Sequence, residues 1–271
     1  MAKIDYKTAV IAFVSLPIFC AGDLVTAAEI ASQAEWIYVV KTEPSEPDLE
    51  AEFNQWYDEI DIPDVLAVPS FRRARRAVAQ SIPQFPDSRL KEDDGSYVAL
   101  YDIATREIDK SIIDLYVAAR KMNALDRSTQ ALRVVEANYY HRIGGMQLRR
   151  PDSGADRYFL IQKIVCCQTE LEFARYKDWF SDSLVSQLTS DSGVVDANLY
   201  VLYRVMEELA VGDDEIPHLL AVFSLETSSI TQTLTEIDEA QGGLRVSGGP
   251  GMDHEVRDSI LYRQILDVRS D

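Results

Sequence analysis

Apolar and polar positions alternate in short runs along this chain, and the runs come back in the same order in its second half. Trp36-Ile37-Tyr38-Val39-Val40-Lys41 is an aromatic and β-branched run that reads as a strand, and Tyr158-Phe159-Leu160-Ile161-Gln162-Lys163 repeats it at an offset of 122 residues. An acidic helix follows the first strand, with Leu49, Phe53, Trp56 and Ile60 at spacings of four, three and four on one face and Glu50, Glu52, Asn54 and Glu59 largely outside. Its Trp56-Tyr57 pair returns as Trp179-Phe180 at an offset of 123. Tyr97-Val98-Ala99-Leu100-Tyr101-Asp102-Ile103 matches Leu219-Leu220-Ala221-Val222-Phe223-Ser224-Leu225, which places a third strand in both halves. Second helices are predicted from about Arg106 to Met122 and from about Ser228 to Ala240. Tyr140-His141-Arg142-Ile143 and Tyr262-Arg263-Gln264-Ile265 supply the fourth strands, again at 122. The second strands, near Phe71–Val78 and Ala197–Met206, show no fixed offset.

Duplication is the economical account of five landmarks that hold their spacing to within one residue. It predicts an α+β protein of two tandem ferredoxin-like βαββαβ units, 35–148 and 157–268, joined by a linker at 149–156. Each unit would leave one sheet face bare, and closing the two faces on each other about a pseudo-twofold axis gives an intramolecular dimeric α+β barrel. The barrel is then complete within one chain, and a homo-oligomer stays open as a further assembly. Ser81–Asp87, punctuated by Pro83 and Pro86, reads as a hairpin excursion, and the Gly-rich stretch Gln241–Asp253 as a flexible lead into the last strand.

The formal net charge of −18 repels polyphosphate, so nucleic acid is not an expected partner. The dense basic run Arg72, Arg73, Arg75 and Arg76 is expected to pair with the abundant carboxylates. Three cysteines make no disulfide framework, and adjacent Cys166 and Cys167 read as the end of a buried strand. Residues 8–22 carry no charge, follow Lys3 and Lys7, and precede the small residues Val25-Thr26-Ala27-Ala28. That pattern resembles a secretory signal peptide and favours export over a docked N-terminal segment within residues 1–34. With Pro17 near its middle the run is short for a bilayer, so no stable membrane span is expected.

The segment Glu52-Phe53-Asn54-Gln55-Trp56-Tyr57-Asp58-Glu59-Ile60-Asp61-Ile62-Pro63-Asp64-Val65-Leu66-Ala67-Val68-Pro69-Ser70-Phe71 resembles the signature of the EthD-like branch of the dimeric α+β barrel superfamily. There a helix ending in Trp-Tyr runs into a His-Ile/Leu-Pro step and a Pro-Gly-Phe entry to the second strand. The superfamily includes cofactor-free oxygenases, cyclases, dehydratases and lactone isomerases, with some haem-dependent members. The resemblance implies a pocket between sheet and helices for a hydrophobic or aromatic small molecule. This chain departs from the pattern at the His, with Asp61 there in the first half and Leu184 in the second.

Any catalytic centre therefore belongs to the first half. Its candidates are Asp61 as proton acceptor with Tyr57 or His141 orienting the substrate, and Trp56, Tyr101 and Tyr38 as substrate-binding walls. Asp61 also reads as a helix-terminal residue hydrogen-bonded near Pro63, and His141 as a sheet-interface histidine. His218 and His254 join no triad or metal set. No dinucleotide fingerprint, Walker loop or nucleophile elbow is present, so the reading calls for no cofactor and no metal. The function classes that remain are a cofactor-independent lyase, isomerase or oxygenase, and a non-catalytic small-ligand-binding or scaffold protein of the same fold.

Overall fold

The computed structural model describes residues 35–81, 96–148, 155–167, 169–188, 193–205, 219–246 and 254–270. The signal-peptide-like segment, the excursion after Ser81, the core of the linker and His218 lie outside them. Eight strands are described: β1 Trp36–Pro44, β2 Phe71–Ala79, β3 Tyr97–Ile103, β4 Leu132–Gln147, β5 Arg157–Cys166, β6 Val194–Val205, β7 Leu219–Glu226 and β8 His254–Arg269. Four helical segments accompany them. Helix α1 runs as Glu50–Trp56, a π-helical stretch Tyr57–Asp61, and Ile62–Leu66. Helix α2 is Ile108–Ala124. Helix α3 repeats the form of α1, as Glu170–Asp178, a π-helical stretch Trp179–Leu184, and Val185–Gln187. Helix α4 is Ile230–Val246, so the helix extends through Gly242 and Gly243, which the sequence alone assigns to a flexible lead.

The strands close into an antiparallel barrel in the order β1-β3-β2-β8-β5-β7-β6-β4. Read half by half, the first four lie as β4-β1-β3-β2 and the last four as β8-β5-β7-β6. The open edges of the first sheet, β2 and β4, pair with β8 and β6, so none of the eight described strands is left with an unpaired edge. Strand alternation then sorts the side chains. Ile37, Val39, Leu100, Phe159, Ile161 and Val222 point inward and fill the barrel. Outward residues of β1–β4 pack under α1 and α2 through Phe53, Trp56, Ile62 and Ile112. Those of β5–β8 pack under α3 and α4 through Tyr176, Phe180, Leu234 and Ile237. The result is the α+β barrel, with one apolar layer inside and one on each flank.

Register shows an equivalence that the sequence of the second strands hides. Ala74 of β2 faces Tyr101, and Ala197 of β6 faces Phe223, so β2 and β6 are offset by 123 after all. Each strand carries a bulge at the matching place, between Phe71 and Arg73 and between Val194 and Asp196, and what hides the match is side-chain content, with Arg72, Arg73, Arg75 and Arg76 standing against Val195, Asp196, Asn198 and Leu199.

Three of the four arginines of the run, Arg73, Arg75 and Arg76, pair with carboxylates as their charge predicts. Arg73 forks onto Asp267 at 2.7 and 2.6 Å, Arg75 reaches Asp102 at 2.5 Å, and Arg76 reaches Asp58 at 2.7 Å. The cysteines depart from expectation: Cys166 and Cys167 form a vicinal disulfide. Successive strand residues face opposite ways, but the φ of 73° at Cys167 turns the chain out of β5 and brings the two side chains together.

Gly145 holds the β4·β6 seam, facing Asn198 at a φ of 118°, and an added Cβ would meet the Ala197 carbonyl oxygen at 2.3 Å. Gly145→Ala should therefore cost about 2–4 kcal/mol in urea unfolding, combining backbone strain with a clash against main chain that cannot rotate away. An unchanged midpoint would show that the seam is looser than this register implies.

Candidate functional site

Tyr57 and Asp61 bracket the π-helical stretch of α1. The N–H of Ile62 bonds to the carbonyl of Tyr57, five residues back, and this wide turn stacks Tyr57 and Asp61 on the face toward the sheet. Pro63 follows at once. It has no N–H to give the carbonyl of Glu59, and the widened turn relieves the contact that proline makes with that carbonyl in a tight helix.

Opposite this face, β1, β3 and β4 present a row of tyrosines in direct register, with Tyr38 facing Tyr101 on one side and Tyr139 on the other. The ring of Tyr38 stacks on that of Tyr139 at 4.2 Å and lies 5.9 Å from that of Tyr101. The Tyr101 hydroxyl donates to Asp61 Oδ2 at 2.9 Å. Helix and sheet thus meet through one carboxyl and a group of phenols. Between them lies a cavity of about 200 Å³, lined at one end by Tyr38, Tyr57, Asp61 and Tyr101, and elsewhere by apolar side chains of β1, β4 and α2 such as Val40, Leu115, Met122 and Val134.

The electrostatics follow from burial. Loss of solvent pushes the Asp61 carboxyl up from its ordinary 3.8 to about 6; the Tyr101 hydrogen bond and the Arg76 guanidinium pull it down, and the charge of Asp64 adds to the rise. Burial, with the charge of Asp61 nearby, also holds Tyr38, Tyr57 and Tyr101 above the ordinary phenol value, so all three are neutral hydroxyls at neutral pH. The site therefore combines a carboxylate poised near neutrality with hydroxyls able to donate to a developing oxyanion.

Of the six residues singled out from sequence, four share this cavity: Asp61, Tyr57, Tyr101 and Tyr38. Trp56 does not join the lining. It is buried at 8% exposure, and its indole N–H donates to the carbonyl of Arg127 at 2.6 Å, which ties α1 to the loop after α2. His141 lies on the helix-facing side of β4 but one row along from Tyr139, where its ring packs on Trp36 at 4.3 Å. Burial keeps it below its ordinary 6.5 despite Glu35, and it stands apart from the cavity lining. Sequence reasoning missed Thr42, Asp64 and the α2 wall. Alternation along Tyr38-Val40-Thr42 is the signal that could have found the first.

The lining offers no histidine or thiolate; of the side chains there that can ligate a haem iron, Tyr101 is engaged with Asp61, and Tyr38 and Tyr57 are neutral phenols. No group of His, Cys, Asp and Glu among the described residues is placed to hold a metal ion.

The second half answers this site with hydrocarbon. Leu160 faces Phe223 and Leu261 as Tyr38 faces Tyr101 and Tyr139. Phe180 and Leu184 bracket the π-helical stretch of α3 much as Tyr57 and Asp61 bracket that of α1. Leu160, Phe180, Leu184 and Phe223 are each at most 2% exposed and belong to one apolar cluster.

No family model matches the chain, and no curated relative matches it in sequence. Solved structures do resemble it. A protein described as anthrone oxidase-like superposes with a TM-score of 0.51 at 9% identity, over 89% of this chain and 95% of that one. A proposed monooxygenase from Fusobacterium nucleatum subsp. nucleatum superposes with a TM-score of 0.50 at 7% identity, over 87% of this chain and 95% of its own. At such identities the likeness is one of fold, and the chain shares with these proteins the eight-stranded α+β barrel.

Proposed function

We propose that this protein is a cofactor-independent enzyme that takes a proton from a hydrophobic or aromatic small molecule, with Asp61 as the base. The observation that carries the reading is the half-buried carboxyl of Asp61, raised to about 6, set among neutral phenols in a largely apolar cavity. In the proposed step Asp61 removes a proton from an acidic C–H, and the electron pair stays on the substrate as an enolate. The Tyr57 hydroxyl donates a hydrogen bond to the enolate oxygen, and the Tyr101 hydroxyl, which donates to the ionised Asp61 carboxylate, turns to that oxygen once Asp61 has taken the proton. Return of the proton to another carbon gives an isomerase, and departure of a leaving group gives a lyase. Attack of the enolate carbon on O2, which accepts the electrons, gives a peroxide that takes the proton back from Asp61 and loses water to leave a carbonyl, the course of an oxygenase, and the names of the two solved neighbours suit this last member of the set.

On this reading the chain is an EthD-like barrel of two ferredoxin-like units in tandem, in which residues 35–148 keep the site and residues 157–268 have exchanged it for packing. The matching strand orders and the paired π-helical stretches support the duplication. The alternative is a non-catalytic binding protein of the same fold, favoured by the missing imidazole: Asp61 accepts from Tyr101, and the pair could serve to hold a ligand hydroxyl.

Mass spectrometry of protein purified from its host should identify a co-purifying aromatic ligand. Incubated with the protein in D2O, that ligand should exchange its acidic C–H at a rate that rises through a pH of about 6, because the ionised carboxylate is the active form. A ligand that binds without exchange at any pH would establish the binding protein and end the catalytic reading.

A further inference from the structure

Thr42 is four residues beyond Tyr38 on β1 and lines the same cavity. It is 1% exposed, and its hydroxyl makes no hydrogen bond to any protein group. A buried hydroxyl without a partner is unfavourable and uncommon in a folded core. Nor does packing demand one here. Thr42 faces Tyr97 and Val134, with a register shift of the β1·β4 pair beside it. Ile164 occupies the matching place in the second half, facing Leu219 and Val256 with the same shift beside it, and it is 1% exposed in an apolar cluster. A hydrocarbon side chain therefore satisfies this position within the apolar cluster of the second half, and the hydroxyl appears where the position lines a cavity.

We propose that Thr42 is a specificity-determining residue that binds a second oxygen substituent of the ligand, so that the site selects flat aromatic molecules carrying oxygen at both ends. This deepens the reading of Asp61 and its neighbouring tyrosines as the end of the cavity where the substrate's reacting C–H and first oxygen sit, and it rests on that reading. Tyr38, Val40 and Thr42 all face the cavity, and at 3.3 Å per residue the Cα atoms of the outer two are about 13 Å apart. The cavity of about 200 Å³ exceeds the roughly 150 Å³ of an engineered cavity that takes up benzene. Two fused rings suit that volume and place the two oxygens toward opposite ends.

Calorimetric titration with 2-naphthol and naphthalene-2,6-diol tests this. The native protein should bind the diol on the order of tenfold more tightly than the mono-ol, the gain expected of one hydrogen bond to a hydroxyl otherwise left bare. Thr42→Val keeps the shape of the side chain and should bring that ratio close to one while leaving mono-ol affinity within about twofold; Thr42→Ser, which keeps the hydroxyl, should restore it. Asp61→Asn should weaken both ligands alike. A native protein that binds both equally, or a Thr42→Val protein that retains the preference for the diol, overturns the role of Thr42. If the mono-ol still responds to Asp61→Asn, the site reading survives that failure. Binding of neither ligand to the native protein, or equal binding to native and Asp61→Asn proteins, overturns the site reading and the selectivity built on it.

Discussion

Asp61→Asn should make the protein more stable at pH 8 and all but inactive. The carboxyl binds its proton more tightly in the folded chain, at about 6, than in the unfolded one, at its ordinary 3.8. Its contribution is therefore fully present below the lower value and lost as pH rises through the upper one. At pH 8 the native protein bears the whole cost of an ionised carboxyl in an apolar cavity, roughly 2 kcal/mol when some screening through the cavity is allowed for. Asparagine keeps the shape and can still accept from Tyr101, yet carries no charge, so that cost disappears. The difference in unfolding free energy between the two proteins should grow from pH 4 to pH 6 and then level off. Turnover of the host ligand should fall by about 10²–10⁴, the usual loss when a positioned base is removed. A variant as active as the native protein, with stability that tracks it at every pH, would remove Asp61 from the chemistry and leave it as a helix-end residue.

That a single group should oppose stability and serve function fits what the two halves show. Periodicity and spacing reveal the strands, the helices and their repeat order, because each buries an apolar face and such faces leave a regular mark on the sequence. The closed barrel follows from two bare sheets. Position 61 is visible as well, since it breaks a familiar pattern. The tyrosine row is harder to see. Tyr38, Tyr101 and Tyr139 are far apart in sequence and read individually as strand-forming aromatics, and only register sets them side by side. The widened turn of α1 has no local marker, because α3 has the same turn without proline after it. Placement of His141 fails for a related reason. Alternation gives the correct face of β4, but which residues of that face the helices enclose in the cavity depends on packing.

Arg76 shows how strongly this site is tied to its surroundings, and it carries the second large effect. The guanidinium is fully buried, bonded to Asp58 at 2.7 Å and to Asn54 at 2.5 Å, with the rings of Phe53, Tyr57 and Tyr97 within 4.6–4.9 Å. Asp58 is still 39% exposed, so most of the desolvation falls on the arginine. Removing the two partners should therefore have unequal costs. Asp58→Ala leaves a cation in the core with only Asn54 and three ring faces to hold it, and should destabilise the fold by about 3 kcal/mol. Arg76→Leu instead leaves a carboxylate that water can reach, and puts in the core the residue found at Leu199 of β6, the matching place 123 positions on. It should cost less, and adding it to Asp58→Ala should recover most of the stability lost in the single variant, a coupling that denaturant unfolding of all four proteins would measure. The same substitution reaches the active carboxyl. Because Arg76 pulls Asp61 down, Arg76→Leu should move the midpoint of the pH–exchange profile above 6 while Asp61 stays in place. If the costs prove additive and the midpoint stays fixed, Arg76 is packing alone; if both shift as described, the arginine sets the pH at which the Asp61 carboxylate works.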